Sequence, residues 1–218
     1  MVGQRQDVGQ QSERVQGRSR APVPQESRRR VLVILGHPDR DSFCGALADA
    51  YSEAAIAAGD AVRRINLGEL QFDPVLWQGY RQVQPLEPDL QQAQADILWA
   101  NHLVFVYPNW WGTMPALLKG FIDRTFLPGF AFKYHRDDPF WDRLLAGRSA
   151  QLLVTMDTPN WYYRWFFKMP GHEQMRRTIL EFCGVKPVRI KVFSPVRQAT
   201  PEQRSRWLQQ VQQLAMRR

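Results

Sequence analysis

The chain has 218 residues, of which 44% are hydrophobic and 23% charged, and this balance predicts one globular domain rather than two. No apolar run approaches the ~18 residues that a membrane-spanning helix needs, so we expect no membrane span. The net charge of +8 would suit a nucleic-acid-binding protein, but half of it lies in residues 1–30, where seven arginines face three acidic residues.

Residues 1–29 are rich in Gln, Ser, Gly and Arg and lack apolar periodicity, so they are predicted to form a disordered basic tail ahead of one domain over 30–218. The tail has no apolar stretch of the kind found in secretory signals, and its early acidic residues are atypical of a transit peptide. It is interpreted as a solvated extension, as the result of a misassigned start codon, or as a segment that binds a non-specific anionic partner.

From residue 30 onwards, strand patterns and helix patterns alternate. Five strands are predicted, over 30–36, 61–66, 103–107, 151–156 and 188–193. Five helices are predicted, over 42–58, 90–101, 115–126, 173–183 and 201–216, the last with Thr200 as its N-cap. The remaining segments are an irregular connection over 67–88, a loop over 128–142 and a long insertion over 157–171.

This alternation predicts an α/β fold, a three-layer α/β/α sandwich around a five-stranded parallel sheet of order 2-1-3-4-5. In such a sheet the strand order reverses between the first and third strands, and ligands bind at the carboxyl ends of those strands. Two unusual segments follow these strands, GHPDRDSF at 36–43 and YPNWWG at 107–112. The sequence therefore predicts a binding site between them.

The first segment joins a strand to a helix, which directs backbone N–H groups and a helix N-terminus at one point and suits a phosphate. The His37 ring and the Ser42 hydroxyl are further donors. A purely structural alternative makes Ser42 a helix cap and His37 a surface residue. The glycine spacing matches neither a dinucleotide fingerprint nor a P-loop.

The second segment places Trp110, Trp111 and Gly112 in a loop at a strand end, where indoles can stack on a conjugated ring and glycine lets the backbone approach a ligand. A phosphate cradle beside an aromatic loop favours a flavin nucleotide. The alternative for the tryptophans is a hydrophobic patch at a subunit interface, and the two interpretations are compatible.

The fourth strand ends near Thr155 and Asp157, which could bond to ring atoms of a flavin or could simply form a turn. Tyr162 lies in the insertion and is a candidate proton donor to a reduced ring or a quinone oxygen. His172 follows the insertion directly and is a candidate substrate contact. His172 could equally cap the next helix.

No metal site is expected, because the two cysteines and four histidines lack metal-ligand spacing. Cys44 and Cys183 are distant in sequence and are predicted to be buried, reduced thiols, which is consistent with the cytoplasm. Lys119 and Asp123 are four residues apart on a predicted helix and are interpreted as an ion pair outside the site.

The chain resembles the flavodoxin-like NAD(P)H:quinone oxidoreductase family over about residues 30–197. The matching segments are HPDRDSF, NLGELQFDPV at 66–75, YPNWWGTMPALLKGFIDRTFLPGFAF at 107–132, and ILEFCG ending at Gly184. This resemblance implies non-covalently bound FAD or FMN, NADH or NADPH as co-substrate, and ping-pong hydride transfer with two-electron reduction of a quinone. It also implies a homodimer with the flavin pocket at the subunit interface.

The resemblance further implies which residues contact the cofactor. His37, Ser42, Phe43 and Cys44 would line the flavin phosphates, and Pro108, Asn109, Trp110 and Trp111 would hold the ring system. Where mammalian relatives carry T-T-G-G after the fourth strand, this chain has TMDTP at 155–159. Tyr162 and His172 are therefore the best candidates for the family's tyrosine and histidine near the quinone.

Two other functions stay open at this stage. The pocket could reduce azo or nitro compounds, because a stacking pocket recognises planarity more than identity. The chain could instead be an ancillary regulatory subunit of a glutathione-gated potassium efflux transporter, as some flavodoxin-like proteins are. Nucleic-acid binding depends on the tail alone and is not expected.

Overall fold

Five parallel strands form the frame of the protein, for which a computed structural model describes residues 29–217. They are β1 (Arg30–Leu35), β2 (Ala61–Asn66), β3 (His102–Pro108), β6 (Ser149–Thr155) and β7 (Val188–Phe193). Their order in the sheet is β2-β1-β3-β6-β7, which confirms the predicted parallel sheet and its predicted strand order. The predicted tail lies outside the described residues up to position 28.

Helices cover both faces of the sheet because its central strands are apolar on both sides. One face packs against α1 (Phe43–Ala57) and α6 (Pro201–Met216), through residues such as Val33 of β1. The opposite face includes Ile34 and packs against three further segments, α2 (Pro88–Trp99), α3 (Ala116–Thr125) and the helical stretch over 170–181. None of the helices within residues 29–217 combines the length and apolar character needed to cross a bilayer.

Two stretches predicted without regular structure contain short elements. The loop over 128–142 forms an antiparallel hairpin of β4 (Phe132–Tyr134) and β5 (Trp141–Arg143). The Trp141 ring stacks on Phe182 at 4.5 Å between centroids, and its Nε1–H donates to the Phe182 carbonyl at 2.9 Å. The hairpin is thus stabilised by a contact distant in sequence, which a three-residue strand pattern cannot reveal. The insertion contains α4 (Asn160–Trp165).

The predicted helix over 173–183 also differs from the structure. A short helix α5 (Pro170–Glu173) continues into π-helical turns over Gln174–Glu181. A π-helix is rare and often accompanies a functional site. The predicted cap of α6 is confirmed, because the Thr200 hydroxyl accepts a hydrogen bond from the Gln203 N–H at 3.2 Å.

A buried arginine holds the irregular connection over 67–88 against the domain. The Arg124 side chain on α3 is fully buried and donates to the Asp73 carbonyl, to the Pro85 carbonyl at 2.8 Å and to the Glu87 carboxylate at 2.9 Å. Sequence reasoning left this residue without a role. By contrast, Lys119 and Asp123 on the same helix form the expected ion pair, at 2.7 Å and partly exposed.

Candidate functional site

A cavity of about 240 Å³ opens at the carboxyl ends of β1, β3 and β6, where the strand order reverses. Nine residues predicted to bind a cofactor line it: His37, Ser42, Phe43, Cys44, Pro108, Asn109, Trp110, Thr155 and Asp157. A larger cavity, about 490 Å³, lies at the opposite edge of the sheet, away from both sequence motifs. We take the smaller cavity as the candidate site, because it is the one that joins the two motifs.

The loop between β1 and α1 has a defined shape. Ser42 caps α1, and its Oγ accepts a hydrogen bond from the Gly45 N–H at 3.2 Å. His37 Nδ1 lies 3.0 Å from both the Asp39 nitrogen and the Asp39 carbonyl oxygen, which orients the ring and leaves Nε2 without a partner among the described residues. The backbone of Gly68 packs directly against this loop. A β-carbon at position 68 would lie 1.8 Å from the Pro38 carbonyl oxygen, so only glycine fits there.

The floor of the cavity ties three elements together. The Asn109 N–H donates to the Thr155 carbonyl at 2.7 Å, joining the ends of β3 and β6. The Cys44 Sγ lies 3.2 Å from the Thr155 Oγ1, joining α1 to β6. Burial raises the pKa of the Cys44 thiol to about 12, against a smaller lowering by the Thr155 bond, so the thiol is uncharged at neutral pH. Cys44 therefore packs the floor and is not a nucleophile.

The aromatic loop after β3 is a tight turn. Trp110 and Thr113 exchange two backbone hydrogen bonds of 2.8 and 3.1 Å. The two central residues, Trp111 and Gly112, have φ of +53° and +83°, the pattern of a type I′ turn. A positive φ is costly for tryptophan, so neighbouring contacts must hold this turn in place.

A buried tyrosine supplies that support. The Tyr163 hydroxyl on α4 donates to the Gly112 carbonyl at 2.8 Å and accepts from the Gly171 N–H at 3.0 Å. The Thr113 hydroxyl also donates to Gln174 Oε1 at 2.7 Å, in the π-helical segment. The insertion and the π-helix thus position the aromatic turn at the mouth of the cavity.

We expect Tyr163→Phe to lower the free energy of unfolding by about 2 kcal/mol, because it leaves the buried Gly171 N–H and the partly buried Gly112 carbonyl unpaired. Urea denaturation followed by circular dichroism measures this change. The matched control is Tyr162→Phe on the preceding residue, whose hydroxyl forms no hydrogen bond with the described residues, and there the change should stay below about 0.5 kcal/mol. Equal losses in the two variants would contradict the assigned role of Tyr163.

Sequence reasoning missed three residues that line the cavity: Met156, Val196 and Arg197. The Arg197 N–H donates to Asp157 Oδ1 at 2.7 Å, which fixes the carboxylate at the rim. Because β6 and β7 are parallel neighbours, their carboxyl ends lie at the same edge of the sheet. Topology alone could therefore have predicted that the segment after β7 lines the cavity.

Four predicted site residues do not line this cavity. Trp111 is fully exposed, and Gly112 faces a neighbouring surface depression instead. Tyr162 stacks on Phe166 at 4.9 Å between ring centroids. His172 is buried, with its ring edge-on to Tyr163 at 5.0 Å.

Two histidines, the buried His172 and the partly buried His102, predict how the free energy of unfolding depends on pH. Burial lowers the pKa of His172 from 6.5 to about 4, and burial together with the charges of Arg29 and Arg189 lowers that of His102 to about 4. The unfolded chain therefore binds more protons than the folded chain between about pH 6.5 and pH 4, and stability falls as the solution is acidified through this range.

We expect each histidine to contribute on the order of 2 kcal/mol to the loss of unfolding free energy between pH 7 and pH 5, at ~1.4 kcal/mol per pKa unit. Urea denaturation at the two pH values should show a smaller acid loss in His102→Gln than in the unmodified chain. His135→Gln is the control, because that exposed ring has its pKa raised by Asp142 and Asp138 and should not reduce the loss. The same acid loss in all three chains would rule out this origin.

Comparisons with known proteins agree with the architecture. The family model described as a flavodoxin-like fold matches residues 29–215. A Haemophilus influenzae protein named uncharacterized NAD(P)H oxidoreductase is 29% identical, over 76% of this chain and 83% of its own length. A Pongo abelii protein named ribosyldihydronicotinamide dehydrogenase [quinone] is 26% identical, over 84% of this chain and 91% of its own. A crystal structure from Streptococcus mutans matches with a TM-score of 0.73 at 26% identity, covering 86% of this chain and 98% of that one.

Proposed function

Because the chain belongs to the flavodoxin-like fold family, we propose that it is an oxidoreductase that binds a flavin and uses NADH or NADPH to reduce a quinone. One observation carries the proposal: a single cavity at the switch point of the sheet unites the polar loop 36–43 with the aromatic loop after β3. These are the two surfaces that a nucleotide with a planar ring requires.

The residues of the cavity fit the phosphate end of FMN or FAD. The first N–H groups of a helix have no acceptor within the helix. At α1 the Ser42 hydroxyl takes the N–H of Gly45, which leaves the N–H groups of Phe43 and Cys44 for a phosphate beside the positive end of a 15-residue helix. His37 Nε2, the ring nitrogen without a partner among the described residues, is a further candidate donor.

The opposite end of the cavity fits the flavin ring. Trp110 is 45% exposed at the rim, and its ring lies roughly perpendicular to that of His37, at 5.4 Å between ring centroids. Asn109, Thr155 and Asp157 supply polar atoms for the edge of the ring. When bound, a flavin accepts a hydride from NAD(P)H and passes two electrons to a quinone, in ping-pong order.

As a proposal, proton delivery to the quinone is assigned to Tyr162, and His172 is assigned a place near the substrate. At neutral pH the depressed pKa of His172 keeps its ring neutral, so it can hold and orient a partner but carries no spare proton. Within a single chain, neither the Tyr162 nor the His172 side chain lines the cavity. The proposed roles therefore require a substrate that extends from the cavity over α4. Quinone turnover by Tyr162→Phe should fall while flavin affinity stays unchanged.

We also propose a homodimer with the cavity at its interface. One chain provides an open cavity of only about 240 Å³, below the roughly 300–1,000 Å³ typical of ligand pockets. Close to the aromatic turn, α4 and the residues after it expose large aromatic side chains, Trp161, Trp165 and Phe166. Such exposed patches commonly mark interfaces.

The dimer proposal predicts that Trp165→Glu dissociates the dimer in sedimentation equilibrium. Trp77→Glu is the matched control, because it places the same charge on an exposed indole of the 67–88 connection. A wild-type chain that sediments as a monomer and still binds flavin tightly would overturn the proposal.

The test of the function itself is the visible spectrum of the purified protein without oxygen. We expect flavin absorption that bleaches on addition of NADH or NADPH and returns on addition of a quinone, and the released cofactor distinguishes FMN from FAD. Parallel lines in double-reciprocal plots would support ping-pong order. A protein that neither retains nor binds flavin, and oxidises neither nucleotide, would exclude the enzyme and favour a regulatory role.

A further inference from the structure

A second cavity, of about 490 Å³, lies at the amino ends of the strands, on the far side of the sheet from the flavin site. The first residues of β3, β6 and β7 form its floor, and α1 and the end of α6 form its walls. Its volume is in the range of small-molecule sites. The proposed function makes no use of it.

Three polar side chains from separate elements form a continuous chain along this cavity. The Tyr51 hydroxyl lies 3.1 Å from His102 Nε2, and His102 Nδ1 lies 2.7 Å from the Ser149 hydroxyl. Buried polar groups are costly unless they are all hydrogen-bonded, and here both nitrogens of the ring have a partner.

The position of Arg29 decides the direction of these hydrogen bonds. Its guanidinium lies beside the Tyr51 oxygen and is itself paired with Asp60 at 2.6 Å. A nearby cation turns the Tyr51 proton away from itself, towards His102 Nε2. The proton of the neutral ring is then on Nδ1 and is donated to Ser149, which leaves the Ser149 hydroxyl proton for an acceptor in the cavity.

The charges that line the cavity are positive. Arg189 and Arg217 both line it, and among residues 29–217 neither guanidinium forms an ion pair. The field of Arg189 also reaches the His102 ring, where it acts with Arg29 and with burial to lower the pKa. A surface with a free hydroxyl donor and two unpaired guanidinium groups favours an anionic ligand.

We propose that this cavity binds a small organic anion, whose carboxylate or phosphate is held by Arg189 and the Ser149 hydroxyl. The apolar side chains of Pro187 and Leu214 line the same cavity and contact the body of the ligand. The inference does not depend on flavin binding, because the two cavities lie at opposite edges of the sheet.

Histidine-ring NMR tests this site directly, because the chain has only four histidines and one of them lies at each cavity. The full-length protein is titrated with benzoate and with inorganic phosphate, and the neutral isostere benzamide is the control. His102→Asn assigns the signal. We expect the His102 resonances to move and saturate with an anion but not with benzamide. Saturation by benzoate alone or by phosphate alone identifies the preferred group.

Arginine variants then test the contact. Arg189→Gln should weaken anion binding about tenfold, and Ser149→Ala several-fold, because each variant loses a hydrogen-bond donor to the charged group of the ligand. Arg136→Gln makes the same charge change at an exposed residue outside the cavity and should leave affinity unchanged. Movement of His37 without His102, no saturation at all, or an equal loss in Arg136→Gln would each overturn the proposal.

Discussion

Replacement of Arg124 by methionine is expected to lower the free energy of unfolding by about 3 kcal/mol. The side chain is fully buried, and its loss removes the donor to the carbonyls of Asp73 and Pro85 and leaves the Glu87 carboxylate with only the Asp73 N–H, at 3.1 Å. Removing one partner of a buried ion pair costs about 3–5 kcal/mol. We expect a loss at the lower end of this range, because the Glu87 side chain is 29% exposed and water can hydrate its carboxylate.

Lys119→Met on the same helix is the matched control for this experiment. It also removes the cation of an ion pair, but the partners Lys119 and Asp123 are 42% and 37% exposed, so the loss should be below about 1 kcal/mol. Chemical denaturation of both variants, with the slope against denaturant checked for constancy, gives the comparison. Similar small losses in both would show that Arg124 does not hold the 67–88 connection.

The frame of the fold was predictable because it depends on local patterns. Buried parallel strands such as β1 and β3 are short continuous apolar runs, and their alternation with helices admits few topologies. The hairpin of β4 and β5 and the π-helix depend instead on tertiary contacts, such as Trp141 against Phe182. Contacts of this kind join residues far apart in sequence, so a short window of neighbouring residues does not reveal them.

The same distinction applies to the candidate site. Topology places whole strand ends at one edge, so residues on or next to those ends, such as Ser42, Asn109 and Thr155, were predicted together and line one cavity. Topology does not give the direction of a side chain within a turn. For that reason both tryptophans are predicted to hold the ring although only Trp110 lines the cavity, and the support that Tyr163 gives the turn is not predicted.

The separate orientations of the two tryptophans make the proposed flavin site testable. Trp110→Ala is expected to weaken FMN or FAD binding about tenfold to a hundredfold, because stacking of a planar base on an aromatic side chain contributes about 1–3 kcal/mol. Trp110→Phe should retain most of the affinity, since a smaller ring can still stack. Isothermal titration calorimetry of the flavin-free protein measures the dissociation constants directly.

Trp77→Ala is the control for that comparison, because it removes an exposed indole that does not line the cavity. The flavin affinity of this variant should match that of the unmodified chain. The oligomeric state of both variants should be measured as well, because loss of the proposed dimer would also lower the affinity for flavin. If Trp110→Ala binds flavin as tightly as Trp77→Ala while both remain dimeric, the ring does not stack on Trp110. The ring would then have to contact other parts of the cavity wall, and the aromatic turn would serve the subunit interface alone.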